Sequence, residues 1–326
     1  MVDRWKAVKN HRTPKLRMKF KQFLQSVFER LGLAELPAPP PPMADLPLAD
    51  PLQLRPILAR LAAWGTKRVH WIVGDAPDAD DLVAVVEQTV QLGMKPTIRG
   101  RASELVAGSL LADLHVAGAE AVEVLFLSSI GEVHDALCGG GDYRSALTAM
   151  DLLAGMKLPC AAQIAMAPST RKTIQRTLEF LDDRGIDDIR LFAVACRDDE
   201  PSSWALSAGE LIEAAREIEV SAPDGFKITW YPPLRFDPSR SLAQQVRRGP
   251  RAAADSVRIE PDGQVLPPIG AAVSGGNLLC DDWKTIARSE IFRDLKRRSA
   301  AATCAECPGL NACKIGCLRD AQGWVE

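Results

Sequence analysis

The alternation of strand-like and helix-like patterns between residues 56 and 231 limits the fold of this chain more than any other feature. Short runs rich in apolar residues are followed by longer runs with helical periodicity. The strand-like runs are 68–74, 95–100, 121–128, 159–167, 188–195 and 226–231, and the helix-like runs are 78–93, 103–118, 144–156, 171–185 and 207–220. Such repeats form parallel strands with right-handed crossovers, so they indicate a doubly wound sheet or an open or closed barrel.

The number of repeats narrows the choice further. About five to six strand-helix units fit, which is too few for a complete eight-fold barrel. After residue 232 the pattern changes to a turn-rich tail that contains several cysteines. We therefore expect an α/β domain over residues 56–235 and a small cysteine-rich domain over residues 236–326.

Two segments of unusual composition precede the α/β domain. Residues 1–34 carry nine Lys or Arg against Asp3 and Glu29, a net charge of +7, which leaves −9 for the rest because the whole chain is −2. Apolar residues within this head follow a helical period and predict an amphipathic helix: Phe20, Phe23, Leu24, Val27, Phe28 and Leu31. Residues 35–55 include "ELPAPPPPMADLPLADP", in which proline removes amide donors, so we expect a stiff linker.

Overall charge and targeting signals set limits on partners and location. A net charge of −2 and a pI of about 6.2 give no sign of a nucleic-acid partner. The N-terminus lacks the apolar core of a secretory signal, and no run reaches membrane-spanning length. We expect a cytoplasmic protein with reduced thiols. The basic head suits an acidic protein partner, and contact with an anionic membrane surface is the less favoured alternative.

Four cysteines lie within fifteen residues of the tail. Cys304, Cys307, Cys313 and Cys317 have the spacing C-x2-C-x5-C-x3-C. In a reducing compartment closely spaced cysteines are better explained as metal ligands than as disulfides. Spacing alone leaves both an iron–sulfur cluster and a tetrahedral zinc site open.

The order of motifs in the tail is specific enough to indicate a family. A predicted hairpin, "RIEPDGQVLP", turns at Pro261-Asp262-Gly263 and is followed by Gly275-x4-Cys280, a helix around 283–298 and the four-cysteine run. This order resembles the SPASM extension of radical S-adenosylmethionine (radical SAM) enzymes. The segment "FLSSIGEVHDALCGGGDYRSALTAMDLLAGMKLPCAAQIAMAPST" (126–170) resembles the middle of their barrel. The resemblance covers roughly residues 56–326 and implies a partial, open parallel (β/α)6-type barrel followed by a SPASM-like hairpin and helix.

The sequence departs from this family at the elements that carry its chemistry. The C-x3-C-x2-C triplet, which binds the SAM cluster in the loop after the first strand, is absent. Gly74-Asp75-Ala76-Pro77 stands where the family has Gly-Gly-Glu-Pro, whose glycines allow close backbone approach to SAM. The resemblance therefore implies that reductive SAM cleavage is lost and does not favour SAM binding, and no catalytic residue is assigned.

The tail also has fewer cysteines than two clusters need. By the family pattern Cys304, Cys307 and Cys313 belong to one cluster, and Cys280 and Cys317 to the other. Pro268 stands where the first ligand of the second cluster is expected. One [4Fe-4S] cluster remains feasible, with a fourth ligand from Cys317, Cys280, a carboxylate, water or another protein, and a zinc site is the alternative.

Other candidate residues have plain structural explanations. We expect Cys138, Cys160 and Cys196 to be buried structural thiols. His134-Asp135 suits capping or packing better than acid–base chemistry, and "LCGGGDYR" (137–144) suits a turn better than a phosphate cradle. At the strand ends, Gly74, Asp75, Arg99 and Arg101 are weak candidates for a ligand-binding face, the two arginines for an anion.

These observations favour one function and leave an alternative open. The favoured one is a non-catalytic accessory protein that binds a peptide, protein or partner enzyme in a maturation pathway and carries one C-terminal metal centre. The alternative is a SPASM-type enzyme or iron–sulfur oxidoreductase that uses an open C-terminal cluster for peptide or protein modification. A zinc-stapled interaction protein is a redox-silent version of the first.

Overall fold

A computed structural model provides the structure of the chain. It describes residues 39–74, 78–138, 140–196, 205–230, 234–235, 256–267, 273–293, 319–320 and 323–324. The chain divides into two units, Met1–Pro39 and Pro40–Glu326, and the elements below belong to the second. The predicted head and the four-cysteine run lie outside the described residues.

Strands and helices alternate through most of the second unit. The first half contains β1 (Met43–Pro47), α1 (Pro51–Trp64), β2 (Arg68–Ile72), α2 (Ala79–Gln91), β3 (Lys95–Gly100), α3 (Ala102–Leu105), α4 (Leu110–Val116), β4 (Ala121–Leu125), α5 (Gly131–Cys138) and α6 (Asp142–Met156). It continues with β5 (Cys160–Met166), α7 (Pro168–Arg171), α8 (Ile174–Asp183), β6 (Asp188–Cys196), β7 (Leu206–Ser207), α9 (Ala208–Ser221), β8 (Lys227–Trp230) and β9 (Leu234–Arg235). The tail adds β10 (Ser256–Ile259), β11 (Val265–Leu266), α10 (Trp283–Ala287), β12 (Arg319–Asp320) and β13 (Gly323–Trp324).

The order of strands in the sheet settles the choice of architecture. Strands β1 to β6 lie side by side in chain order, every neighbouring pair is parallel, and β8 pairs with β6 in the same direction. A doubly wound sheet reverses its order at a switch point, and this sheet has none. Right-handed crossovers in one direction place all the helices on one face, as in a barrel. The predicted partial, open (β/α)6-type barrel is confirmed.

Side-chain alternation gives the sheet two different faces. The face toward the crossover helices is apolar, with fully buried residues such as Leu46, Trp71 and Ile98. Full burial of each such side chain contributes about 1.5–3 kcal/mol. The indole N–H of Trp71 donates to Thr89 Oγ1 of α2 at 3.2 Å, so even the one polar atom of that side chain is paired. This face forms the main core, and the opposite face carries the polar residues.

The structure corrects the prediction of a linker over residues 35–55. Residues 43–47 form β1, which lies between β2 and β10, and α1 begins at Pro51. Proline is tolerated because Pro47 ends the strand and Pro51 occupies the first turn of α1, where an amide donor is not needed. The first strand expected for the barrel is therefore present. The other predicted domain boundaries stay predictions.

A second correction concerns the helix expected over residues 103–118. The structure has two short helices instead, α3 and α4, separated by a turn. Gly108 lies in that turn with φ of 56°, a left-handed conformation that ends a helix readily for glycine. The apolar pattern of the sequence continues across Gly108 with a helical period, so the pattern did not reveal the break between the two helices.

The described part of the tail packs against the first strand and helix. Strand β10 pairs with β1 in parallel, and β10 and β11 form the predicted hairpin, with Gly263 at φ of 86° in its turn. Trp64 of α1 contacts Trp283 of α10, with ring centroids 5.5 Å apart. Among the described residues no helix is both long and apolar enough to cross a bilayer.

Candidate functional site

The polar face of the sheet is the candidate functional site. Parallel strand pairing puts residues in register on the same face, and one face carries a polar side chain on each strand from β1 to β6. These side chains are Asp45, His70, Thr97, Arg99, Glu123, Gln163 and Arg190, and all except Arg190 are buried. Buried charges need partners, so their pairing decides what the face can do.

A cluster of charges occupies the middle of this face. Glu123 Oε2 accepts a hydrogen bond from Arg99 Nε at 2.6 Å, and Glu123 Oε1 lies 3.8 Å from Arg190 Nε. Burial alone raises the pKa of Glu123, but the charges of Arg99, His70 and Arg190 and the hydrogen bond from Arg99 outweigh it and lower the pKa to about 2. Glu123 is therefore ionised at neutral pH.

The pair at the β1–β2 corner differs from this cluster. Asp45 Oδ1 lies 3.0 Å from His70 Nδ1, and the exposed fractions of the two side chains are 0% and 6%. The contact lacks hydrogen-bond geometry. Within the described residues neither carboxylate oxygen of Asp45, nor Nδ1 of His70, has a hydrogen-bond partner.

A second buried His–Asp pair lies between α5 and α6. His134 Nε2 lies 3.1 Å from Asp142 Oδ2. Asp142 Oδ1 accepts from the amide and hydroxyl of Ser103 at 3.2 and 2.6 Å and lies 3.4 Å from Arg101 Nη2. Burial raises the pKa of Asp142, but the hydrogen bonds from His134 and Ser103 and the charge of Arg101 produce a net lowering. This carboxylate is fully engaged.

Cys138 completes a group of three metal-ligand residue types with His134 and Asp142, whose ligand atoms lie within 4.8 Å of one another. The hydrogen bonds do not fit a metal. The amide of Leu127 donates to His134 Nδ1 at 3.1 Å, so the ring proton is on Nε2, which donates to Asp142. A metal on Nε2 would displace that proton while Nδ1 still faces a donor, whereas ligating histidines donate from their second nitrogen. We therefore assign this group a structural role.

The thiol of Cys138 agrees with that assignment. Burial, followed by the negative charge of Asp142, raises the pKa of Cys138 well above its usual range. Cys160 is also raised, to about 12, by burial and Asp188. Neither thiol forms a thiolate readily, which agrees with a structural role. Cys138 is buried as expected, whereas Cys160 is only half-buried. For Cys196 the structure describes the backbone of β6 but not the side chain.

His134 and Asp135 do not form an acid–base pair, which the sequence left as the less favoured alternative. Asp135 accepts from the amides of Gly141 and Tyr143 at 3.1 and 2.8 Å, which caps the start of α6. His134 is buried and faces Asp142. The predicted capping and packing roles are confirmed. The glycine run forms a turn at Gly141, with φ of 83°, while Gly139 lies outside the described residues.

The predicted strand-end residues are only partly brought together. Arg99 and Arg101 are both paired, with Glu123 and Asp142 respectively, so an anion has to compete with carboxylates already in contact. Gly74 is exposed just after β2, and Asp75 lies outside the described residues. An anion site at these residues stays a prediction.

Of the predicted metal cysteines, the structure describes Cys280. It lies in the exposed turn before α10. The Asn277 amide donates to Asp281 Oδ2 at 2.7 Å and stabilises the backbone of this turn. The position of Gly275 in the preceding Gly-x4-Cys motif requires glycine for a structural reason. A Cβ on Gly275 would lie 2.5 Å from the ring of Phe292. Cys304, Cys307, Cys313 and Cys317 lie outside the described residues.

Sequence reasoning missed Asp45, His70, Glu123 and Asp142. A signal for the first three was present: each is a lone polar residue inside an apolar strand pattern, in "MADLP", "RVHWI" and "AVEVL". Lone polar residues in buried strands require partners or ligands. Asp142 carried no such signal, because it begins a helix after a glycine run.

Comparison with known proteins identifies the fold. No protein-family model matches the chain, and no curated protein matches it. SuiB from Streptococcus suis superposes with a TM-score of 0.59 at 14% identity, over 95% of this chain and 86% of SuiB. Native anSMEcpe, solved with bound AdoMet and Cp18Cys peptide, gives 0.60 at 11% identity, over 87% and 93% of the two chains. These structures are radical SAM enzymes, and the likeness shows that this chain has the radical SAM fold.

Proposed function

We propose that this chain is a non-catalytic accessory protein with a radical SAM fold, which binds a peptide, protein or partner enzyme in a maturation pathway and carries one metal centre in its C-terminal segment. The observation that carries the proposal is the short connection between β1 and α1. This is the place where the family holds its SAM cluster.

The connection is too short to hold that cluster. The C-x3-C-x2-C motif spans eight residues, whereas Leu48, Ala49 and Asp50 alone separate β1 from α1, and none of them is a cysteine. Two of the three residues are also engaged in local structure. The Leu48 amide donates to the Ile72 carbonyl at 3.1 Å, and Asp50 Oδ1 accepts from the Leu52 amide at 2.8 Å as the helix cap. The residues present do not fit a SAM cluster.

A binding role is supported by the structural neighbours and the polar face. SuiB has been crystallised with its precursor peptide SuiA, in a structure that matches this chain with a TM-score of 0.58 at 12% identity over 94% of this chain and 77% of SuiB. The anSMEcpe structure also contains a peptide. In this chain the polar face keeps buried charged residues on adjacent strands, which suits recognition of a polar ligand.

The metal centre is proposed on Cys304, Cys307 and Cys313, with Cys317 or Cys280 as the fourth ligand. The exposed position of Cys280 leaves its sulfur accessible. A [4Fe-4S] cluster is favoured by the tail motif, and four thiolates also satisfy tetrahedral zinc.

The test is metal analysis of anaerobically purified protein, with iron, zinc and acid-labile sulfide measured per chain. We expect either about four irons with four sulfides or one zinc. Cys307→Ser should lose most of the metal. Cys160→Ser, a thiol beside the helix face of the sheet, should keep it and is the matched control. Equal metal content in both variants contradicts the assignment.

The enzymatic alternative is supported by the incomplete ligand set of the tail. A cluster with three thiolates leaves one iron open to substrate. It predicts turnover of a peptide or protein substrate by the iron-loaded, reduced protein. Absence of both turnover and SAM binding under these conditions removes it.

A further inference from the structure

Asp45 is a buried carboxylate with no hydrogen-bond donor among the described residues. Its side chain has no solvent exposure, and neither oxygen accepts a hydrogen bond from the described residues. The in-register neighbour on β2 is His70, whose Nδ1 is close but misdirected. The in-register neighbour on β10 is Arg258, whose Nε donates to the Pro267 carbonyl at 3.1 Å. A buried carboxylate left in this state is costly, so it needs donors from elsewhere.

The corner around Asp45 is negatively charged at its rim. Asp50 and Asp78 cap α1 and α2, which follow the carboxyl ends of the adjacent strands β1 and β2. Burial, and then the charges of Asp78, Asp50 and Asp80, raise the pKa of Asp81. The carboxylates of the two loops therefore influence one another. A concentration of negative charge at the ends of two adjacent strands attracts cations.

The other side of the polar face is already filled. A small apolar cluster covers the carboxyl ends of β4 to β6: Leu125, Leu127, Leu137, Cys138, Ala165, Ala167, Phe192 and Ala205. This cluster includes strand residues that share the face of Glu123, such as Leu125 and Phe192. A polar ligand is therefore better accommodated at β1 and β2 than at β4 to β6.

We propose that the β1–β2 corner, defined by Asp45 and His70 below the rim residues Asp50 and Asp78, binds an organic cation that carries N–H donors. A primary ammonium or guanidinium group of a bound peptide supplies the donors that Asp45 lacks. Asp45 lies two residues before the end of β1, about 7 Å below the rim, which a lysine or arginine side chain can span. This inference rests on the proposed binding function and names the chemical class of the ligand.

A metal ion is a poorer occupant. Only Asp45 and His70 bring ligand atoms together at this corner, and no third His, Cys, Asp or Glu of the described chain joins them in a cluster. Two protein ligands are fewer than structural or catalytic metal sites use.

The first experiment compares Asp45→Asn with Asp142→Asn by thermal unfolding of the full chain without ligand. Both aspartates are buried and face a histidine, so the substitutions are matched. We expect Asp142→Asn to lower Tm by several degrees, because it loses charge-assisted hydrogen bonds. Asp45→Asn should raise Tm by about 2 °C or more, because it removes a buried carboxylate that has no hydrogen-bond donor among the described residues. A fall in Tm for both variants shows that Asp45 is a structural partner of His70 and overturns the proposal.

The second experiment measures binding by calorimetry with three named probes: Nα-acetyl-lysine methylamide, Nα-acetyl-arginine methylamide and the neutral Nα-acetyl-norleucine methylamide. We expect a cationic probe to bind the wild-type chain at least tenfold more tightly than the Asp45→Asn variant, and the neutral probe not to bind. Asp151→Asn, an exposed residue on α6, is the control and should bind as wild type. No binding by either cation, or equal binding to the Asp45→Asn variant, overturns the site. SAM turnover or a missing metal centre would instead refute the proposed function, so the two failures are distinguishable.

Discussion

Two buried His–Asp pairs in this molecule have nearly the same separation and opposite surroundings. His70 and Asp45 lie 3.0 Å apart, and His134 and Asp142 lie 3.1 Å apart. Asp142 is engaged by Ser103, Arg101 and His134, whereas Asp45 accepts no hydrogen bond from the described residues. Distance alone would rank the pairs as equivalent. The donors around Asp142 show that this pair joins helices α5 and α6, whereas Asp45 has no such donors among the described residues.

We expect the largest loss of stability from a substitution of Glu123, which shares the polar face with Asp45 but is paired with Arg99. This residue extends the comparison between carboxylates with and without donors. Glu123→Gln removes the carboxylate charge that faces the buried guanidinium of Arg99, and we expect a loss of about 3–5 kcal/mol in the free energy of unfolding. Urea denaturation measures it. Glu120→Gln, at a more exposed ion pair with Arg68, should cost less than about 1 kcal/mol. Similar losses in both variants would mean that the burial of an ion pair does not determine its contribution to stability.

The second-largest effect should be a loss of stability at acid pH. The pKa of Glu123 is lowered to about 2 in the folded chain, below the usual value near 4.5 for the unfolded chain. The stabilisation, about 3 kcal/mol, is therefore complete above pH 4.5 and lost as pH falls toward 2. Urea unfolding at pH 6 and pH 3 measures the difference, which should be smaller in Glu123→Gln. An equal acid loss in the variant contradicts the role of Glu123.

The two histidines provide the most direct way to break the comparison. His134→Gln disturbs the donor to Asp142 and the acceptor of the Leu127 amide, so we expect a loss of about 2 kcal/mol. His70→Gln removes a contact to Asp45 without hydrogen-bond geometry, so we expect a smaller loss than for His134→Gln. Chemical denaturation of both variants under one condition makes the measurement. Equal losses would show that both His–Asp pairs contribute alike to stability and would contradict the contrast between them.

The smallest effect concerns the reactivity of thiols rather than stability. Burial and Asp142 raise the pKa of Cys138, so the native protein should label there at least about a hundredfold more slowly with iodoacetamide at pH 8 than the unfolded protein. Cys280 is exposed and serves as the labelled control in metal-free protein. Peptide mapping by mass spectrometry follows both sites. Rapid labelling of Cys138 would show that reagent and solvent reach the site of the His134–Asp142 pair between α5 and α6.

Much of the fold could be predicted because its elements have local signals. The apolar periods of 68–74 and 78–93 correspond to β2 and α2, and the Pro-Asp-Gly turn corresponds to the β10–β11 hairpin. Strand β1 could not be predicted from "MADLP", because its proline-rich surroundings resemble a linker. Its pairing with β10, more than two hundred residues away, is a tertiary interaction that no local pattern encodes.

The candidate site was harder to predict for the same reason. A lone aspartate in a five-residue strand gives no indication of which strands will flank it, so the relation of Asp45 to His70 depends on register. The pairing of His134 with Asp142 also depends on the turn that joins α5 to α6. The sequence offered only the adjacent Asp135 as a partner for His134 and favoured a capping or packing role for the two residues, and Asp135 does cap α6.

Reductive cleavage of S-adenosylmethionine tests most directly the claim that this fold has lost its radical chemistry. The full chain should be reconstituted with iron and sulfide under anaerobic conditions, reduced with dithionite and incubated with S-adenosylmethionine. Chromatography then measures methionine and the cleaved adenosyl product. The three-residue connection between β1 and α1 predicts no product above the protein-free control. Product that accumulates with protein concentration would contradict the account.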